Sequence, residues 1–377
     1  MHSERVLYAR FDGPEIFLEQ GRILFSLLNA FASSGYTLHL HTSVKDKPLE
    51  RYAQRVHELP RLQWFERVPD DAGHVFYLTD RTADQTDKNP RWRKRLQVRF
   101  DLFSPFWRED PIIMPYYVYP LQAGLIETGL QPLRDNPRRM RVFFAGDCEH
   151  YRRVWIRHPT VKLPREPIVQ FIRTRFAPRV LVQDAVELAR MLANSYVSAC
   201  VLTASSAVRI DVADWLPTLA QADFFLCPPG IVMPMSHNII EAMAVGTIPI
   251  TNYPEWMDPP LRHGVDCLAF DTLAELESVL RLALALDAAQ IAQMRSAVID
   301  YYERYLRPQG FVARIEQHPA EVVPILIYTE RNVALHSRRL GRHSILMQGS
   351  ARPRPQGVLR RMAAVYLPNL YRALELG

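Results

Sequence analysis

The chain has 377 residues, 48% of them hydrophobic and 23% charged, a balance that excludes an extended disordered polymer and a length that fits two domains of common size. No run of eighteen apolar residues occurs, so no membrane-spanning helix is expected. The formal charge of +6 is unevenly placed: residues 331–377 hold nine arginines and one acid, Glu375, a net +8, which leaves −2 for the other 330 residues. The first residues run straight into a strand-like segment, so no signal peptide is expected. Cys148, Cys200, Cys227 and Cys267 lie far apart beside apolar runs, which reads as reduced core cysteines of a cytoplasmic protein.

In chain order, Arg5–Arg10 is a short buried strand and Phe11-Asp12-Gly13-Pro14 a turn. Apolar residues at 16, 23, 24, 27, 28 and 31 predict one helix over Glu15–Ser33, opened by Pro14 and stopped by Gly35. Tyr36–Thr42 alternates as a strand, which completes a β-α-β unit and implies parallel pairing. Val75–Leu78 and Ile112–Met114 read as further strands. The charge run Arg91-Trp92-Arg93-Lys94-Arg95 reads as a solvated helix face. Gln131–Arg139, polar and proline-bearing, reads as an interdomain linker.

A second alternating series follows. Strands are expected at Arg141–Ala145, Val197–Leu202, Asp223–Cys227 and Thr247–Thr251, with helices at Asp184–Asn194 and Ser236–Val245. Thr272 with Glu275, and Asp287 with Gln290, have capping-box spacing and open two more helices, the second ending near Arg307-Pro308. The predicted fold is α/β: two doubly wound, Rossmann-like domains facing across a cleft, with a C-terminal helical tail. The expected boundaries are 1–135 for an acceptor-side domain, 140–315 for a donor-binding domain and 316–377 for a basic extension. Ligands of such sheets sit at the carboxyl ends of the strands, which points to the loops after 10, 78, 145, 227 and 251.

The informative stretch is 222–270. A buried strand delivers the chain to Pro228-Pro229-Gly230, and a helix opens at Ser236-His237-Asn238. The free amides and positive dipole end of such a helix make an anion site suited to a nucleotide diphosphate. Glu241, three residues on from Asn238, has two readings: it accepts hydrogen bonds from ribose hydroxyls, or it caps its own helix in an Asn-x-x-Glu box.

Pro-Pro-Gly, then Ser236, Glu241-Ala242-Met243 and Gly246-Thr247-Ile248-Pro249-Ile250 resemble the donor-binding half of GT-B glycosyltransferases, and most nearly the exostosin-like family. Phe143-Phe144-Ala145-Gly146, Trp215–Gly230, Pro254-Glu255 and His263-Gly264-Val265-Asp266-Cys267-Leu268 extend the resemblance over roughly 141–310; the first domain matches only in layout. The resemblance implies a glycosyltransferase that draws on a UDP- or GDP-sugar and delivers to a glycan or lipid-linked acceptor. It implies that Glu241 binds the donor ribose, and that Ser236, His237, Asn238, Pro229, Gly230 and Gly146 surround the phosphates or sugar. Two departures matter. The second glutamate that many retaining enzymes carry eight positions earlier is Met233 here, which points to an inverting mechanism. The usual arginine near the glutamate turn is replaced by His237 and Asn238, so Arg152, Arg153, Arg173 or Arg175 are the candidates for the diphosphate.

No Asp-x-Asp occurs, and the helix-terminus site needs neither a metal nor another cofactor; Asp147-Cys148-Glu149 is the alternative acid pair for a divalent cation. No glycine-rich dinucleotide fingerprint or P-loop is present. An inverting transfer needs a general base from the first domain. Asp12 and Glu15 in the first β–α loop, then Asp80 after the strand 75–78, are the candidates, although Asp12 also suits a helix cap. The segment Gly357–Leu376 is amphipathic and basic. It suits an anionic membrane surface on the cytoplasmic side or packing across the two domains. No nucleic-acid partner is expected. A nucleotide-sugar epimerase or hydrolase, and a non-catalytic binding protein, remain the alternatives on the same fold.

Overall fold

The computed structural model describes residues 5–45, 47, 49–67, 75–81, 92–100, 111–147, 163–204, 208–230 and 234–331. Arg152, Arg153, Met233, Cys148, Glu149 and the whole Gly357–Leu376 segment lie outside the described residues. The chain builds two sheets, and every strand pair in them is parallel. The two Rossmann-like α/β units expected from the sequence are present.

The first sheet has the order β3-β2-β1-β4-β5-β13-β6. Its strands are β1 (Val6–Arg10), β2 (Thr37–His41), β3 (Leu62–Phe65), β4 (Val75–Thr79), β5 (Trp92–Arg99), β6 (Ile112–Ile113) and β13 (Val322–Leu326). The second sheet has the order β12-β11-β10-β7-β9-β8. It contains β7 (Met140–Gly146), β8 (Arg179–Val182), β9 (Val197–Ala204), β10 (Ala222–Cys227), β11 (Ile248–Thr251) and β12 (Leu268–Ala269). Central strands such as β10 are buried along their whole length, which explains why they read as apolar runs rather than alternating ones.

The helices are α1 (Arg22–Ser33), α2 (Ala123–Thr128), α3 (Gln131–Arg134), α4 (Arg165–Thr174), α5 (Ala185–Ala193), α6 (Val212–Leu219), α7 (His237–Ala244), α8 (Leu273–Ala285), α9 (Ala288–Tyr301) and α10 (Pro308–Gln317). Asp287 and Gln290 form the complete capping box at α9. At α8 Thr272 caps Glu275, whose own carboxylate turns instead to the Asp271 amide. Each sheet has its own core, one around Leu7, Leu27, Leu40 and Val98 and the other around Phe143, Phe225, Met243 and Leu280.

Four expectations are corrected. The helix predicted over 15–33 is broken: Glu19, Gln20 and Gly21 have φ of +57°, +60° and +77°, and α1 starts only at Arg22. Gly21 is required there, because a Cβ would lie 2.5 Å from the Ala53 amide nitrogen. The charge run, over its described residues Trp92–Arg95, lies in the strand β5, not a helix. Its Lys94 is buried because the ammonium caps the carbonyls of His318 and Ala320, and Trp92 stacks on Tyr77 at 4.5 Å. The linker opens with α3, whose Arg134 donates to the Ala244 carbonyl and pairs with Glu303 at 2.7 Å. Finally, Val322–Leu326, expected in the basic extension, is a strand of the first sheet between β5 and β6. Ahead of it α10 packs on α1, tied by Tyr36 to Glu316 at 2.7 Å. Among the described residues no helix is long and apolar enough to cross a membrane.

Candidate functional site

The site is built where β7 and β10 end. From β10 the chain enters Pro228-Pro229-Gly230, and α7 begins after Ser236. Ser236 is the N-cap with extended backbone, yet its side chain makes no cap hydrogen bond. The first amides of α7 are therefore not capped by the Ser236 side chain. The other end of the helix is closed: Gly246 takes φ +74°, its N–H bonds to the Met243 carbonyl, and the Arg134 cation sits on the Ala244 carbonyl, matching the negative dipole end. Gly246 also leaves room for Ile299, whose Cδ1 would be 3.0 Å from a Cβ.

Glu241 is fully buried. It does not form the Asn-x-x-Glu box. Its Oε1 accepts from the Tyr119 amide at 2.8 Å and its Oε2 from the Trp215 indole N–H at 2.6 Å. A carboxylate offers about four lone-pair sites, so two further acceptor positions remain. Tyr119 belongs to the segment that leaves the first sheet, and Trp215 to α6 of the second unit. Glu241 thus joins two parts of the fold at the cleft floor. An open cleft of about 270 Å³ is lined by Tyr119, Gln122, Gly146, Trp215, His237 and Glu241, among others.

His237 also stands in the first turn of α7, its ring 5.6 Å from that of Tyr119. Burial lowers its pKa, and the Arg22 and Arg165 cations push the same way against the opposing Glu241 charge. Asn238 lines the same cleft.

The residue that sequence reasoning missed is Arg165, the first residue of α4. It is only 6% exposed. Its guanidinium donates to the carbonyls of Pro229 at 3.2 Å, Asp147 at 3.2 Å and Pro228 at 3.4 Å. It clamps the proline loop to the end of β7 beside Gly146, where a Cβ would stand 3.5 Å from its Nη1. Arg173 and Arg175, its alternatives in the sequence reading, lie at the other end of α4. Nothing in the sequence distinguishes Arg165 from its neighbours, because three carbonyls from two distant loops define it.

The first-sheet acids do come together. The Asp80 carboxylate accepts from the amides of Asp12 and Gly13, both at 2.9 Å. Asp12 pairs with Arg81 at 2.8 Å and with Arg10 at 3.3 Å. Glu15 Oε2 and Asp80 Oδ2 both lie 2.9 Å from the position a Cβ would take on Gly13. Burial raises the Asp80 pKa, partly offset by its two amide bonds. One further acid stands out nearby. Glu19, in the left-handed turn before α1, accepts from Tyr117 Oη and from the Glu330 amide. Burial lifts its pKa to about 7.

No protein-family model matches the chain, and no curated protein matches it. Among solved structures, Anabaena HepE in complex with UDP covers 83% of this chain and 98% of that chain at 12% identity and a TM-score of 0.39. An alpha-glucosyltransferase in complex with UDP and DNA covers 83% and 99% at 12% identity and 0.41. AviGT4, a glycosyltransferase involved in avilamycin A biosynthesis, covers 82% and 96% at 11% identity and 0.37.

Proposed function

We propose that the chain is a glycosyltransferase of the GT-B, exostosin-like kind, moving a sugar from a UDP- or GDP-sugar to a glycan or lipid-linked acceptor with inversion. The observation that carries this reading is the cleft at the carboxyl ends of the second sheet. There the first turn of α7, uncapped by Ser236, meets the buried carboxylate of Glu241, at the place where such sheets take ligands.

In this reading the amides at Ser236–Asn238 hold the diphosphate, and Glu241 accepts the ribose hydroxyls through its two spare positions. Arg165 keeps Pro228-Pro229-Gly230 in place. The acceptor hydroxyl loses its proton to a first-sheet carboxylate, Asp12, Glu15 or Asp80, while its oxygen attacks the anomeric carbon. The bond to the terminal phosphate breaks, and the nucleoside diphosphate leaves with the electron pair. Asp80 suits proton acceptance better than Asp12, because its pKa is raised and Asp12 is held by two arginines. The basic C-terminal segment would keep the enzyme on the cytoplasmic face of an anionic membrane, near a lipid-linked acceptor.

The test is a nucleotide-sugar panel with detection of released nucleotide, run with and without EDTA and with product analysis. The expected result is release of UDP or GDP from one donor, unaffected by EDTA and lost in Glu241→Gln. The reading falls if no donor is consumed and neither nucleotide binds at millimolar concentration. Quantitative epimerisation without acceptor would replace it with an epimerase.

A further inference from the structure

Arg22 begins α1, immediately after the left-handed turn at Glu19-Gln20-Gly21. Its guanidinium lies 5.0 Å from the Tyr52 ring and 5.8 Å from the Tyr119 ring. Those two tyrosines are hydrogen-bonded through their hydroxyls at 2.7 Å. The aromatic pair thus fixes the cation without satisfying it. Arg22 Nε is buried and bonded to nothing, and among the described residues no carboxylate lies within ion-pair distance. A second cation, Arg51, approaches the same Tyr52 ring at 5.0 Å, also without a carboxylate partner among the described residues.

The surroundings offer little compensating charge. The nearest acids, Glu19 and Glu330, feel Arg22 only through space, and burial raises the pKa of both. The other titratable groups facing Arg22 are Tyr52, Tyr119 and His237. Tyr119 carries the argument across the cleft: its ring meets both Arg22 and His237, and its amide bonds Glu241. The same cleft wall holds another unsatisfied polar atom. Gln122 is 1% exposed, its Nε2 donates to the Val212 carbonyl, and its Oε1 has no partner. A helix terminus not capped by Ser236, with a guanidinium whose Nε has no partner against the Tyr119 ring of the cleft wall, suits an anion; the Gln122 oxygen is an acceptor and suits only a donor such as a hydroxyl.

We infer that Arg22 reaches across from the first sheet to pair with the terminal phosphate of the nucleoside diphosphate held at α7. The inference rests on the proposed donor site. It places a cation on the leaving group from the opposite half of the molecule, so that diphosphate binding draws the two halves together. A monophosphate, lacking that terminal group, would not reach Arg22.

The experiment is calorimetric titration of the full chain with UDP, UMP, GDP, GMP and inorganic phosphate, for wild type, Arg22→Gln and Arg22→Lys. The wild type should bind one diphosphate at least tenfold more tightly than its monophosphate. Arg22→Gln should weaken the diphosphate roughly ten- to a hundredfold, leave the monophosphate within twofold, and so abolish the preference. Arg22→Lys should restore part of it, since the charge returns without the fork. A preference that survives Arg22→Gln overturns the inference and leaves the donor site standing. Equal weakening of diphosphate and monophosphate assigns Arg22 a structural role and overturns it too. Inorganic phosphate that binds alongside UDP and is lost in Arg22→Gln places the anion on the acceptor, which also overturns it. A wild-type protein that binds no nucleotide removes the donor site and the inference together.

Discussion

Two helices bring their N-termini to the ring of Tyr119, and they are written into the sequence in opposite ways. α7 starts after a proline loop and an N-cap serine, closes on Gly246, and carries Glu241 on its buried side. All of that lies within about twenty consecutive residues and was legible as a motif. α1 starts at Arg22 after three residues of positive φ. Its sequence reads as one continuous helix from residue 15, and the close approach that admits only glycine at position 21 is to Ala53, more than thirty positions away. A helix start marked by a compact local motif can be read; one next to a distant stretch of backbone cannot.

The sharpest way to break the comparison is at Gly21. Gly21→Ala combines strain at positive φ with a Cβ inside contact distance of the Ala53 backbone. It should destabilise by about 2–4 kcal/mol, measured by denaturant unfolding. A change under about 0.5 kcal/mol would mean that the left-handed turn is not rigid, and that Arg22 is not held where described.

Arg165→Gln comes next. It removes a buried cation shared by three carbonyls and should lower stability by about 2–3 kcal/mol. Arg165→Lys should fare little better, because one ammonium cannot reproduce the fork. Nucleotide affinity should fall in both, since the clamped loop leads to α7. Unchanged melting in Arg165→Gln would show that the proline loop holds itself.

Glu241→Gln tests the other side of the cleft. An amide nitrogen would face either the Tyr119 N–H or the Trp215 N–H, leaving one donor unpaired. Stability should drop by about 1–3 kcal/mol together with nucleotide affinity. Trp215→Phe should lose about 1 kcal/mol while keeping the carboxylate. If Trp215→Phe abolishes nucleotide binding as completely as Glu241→Gln, the indole rather than the carboxylate is the ligand group.

The smallest effect concerns Glu19. Its folded pKa, about 7, lies above the unfolded value. The protonated form is therefore favoured in the folded protein, and this contribution is full below the unfolded pKa and lost as pH rises through 7. Wild-type stability should decline between pH 4.5 and 7.5 relative to Glu19→Gln, whose profile should be flatter. Parallel profiles would show that Glu19 does not titrate in this range.

The contrast extends to the fold. In the second unit β7, β9, β10 and β11 with α5, α7, α8 and α9 were legible from local pattern, whereas α4, β8 and β12 were not. In the first sheet β1, β2, β4 and β6 were legible, whereas β3, β5 and β13 were not. β13 joins β5 from more than two hundred residues away, and without it Trp92–Arg99 reads as a charged helix face. Lys94 is buried only because the chain returns at His318 and Ala320. In the site, Glu241 was identified from its motif, but its two donors come from residues 119 and 215. Arg165 and Arg22 carried no motif at all. Asp12, Glu15 and Asp80 lie after β1 and β4, and the structure adds the amide bonds and arginines that distinguish them.

The central claim is that a nucleoside diphosphate binds at the first turn of α7. Hydrogen exchange of the full chain, with and without saturating UDP or GDP, addresses it residue by residue. The account predicts slowed exchange for the amides of His237 to Ile240 and for Tyr119 upon addition of one nucleotide, with little change in α8 and α9. Nucleotide-dependent protection confined to other segments, or none at all, would contradict it.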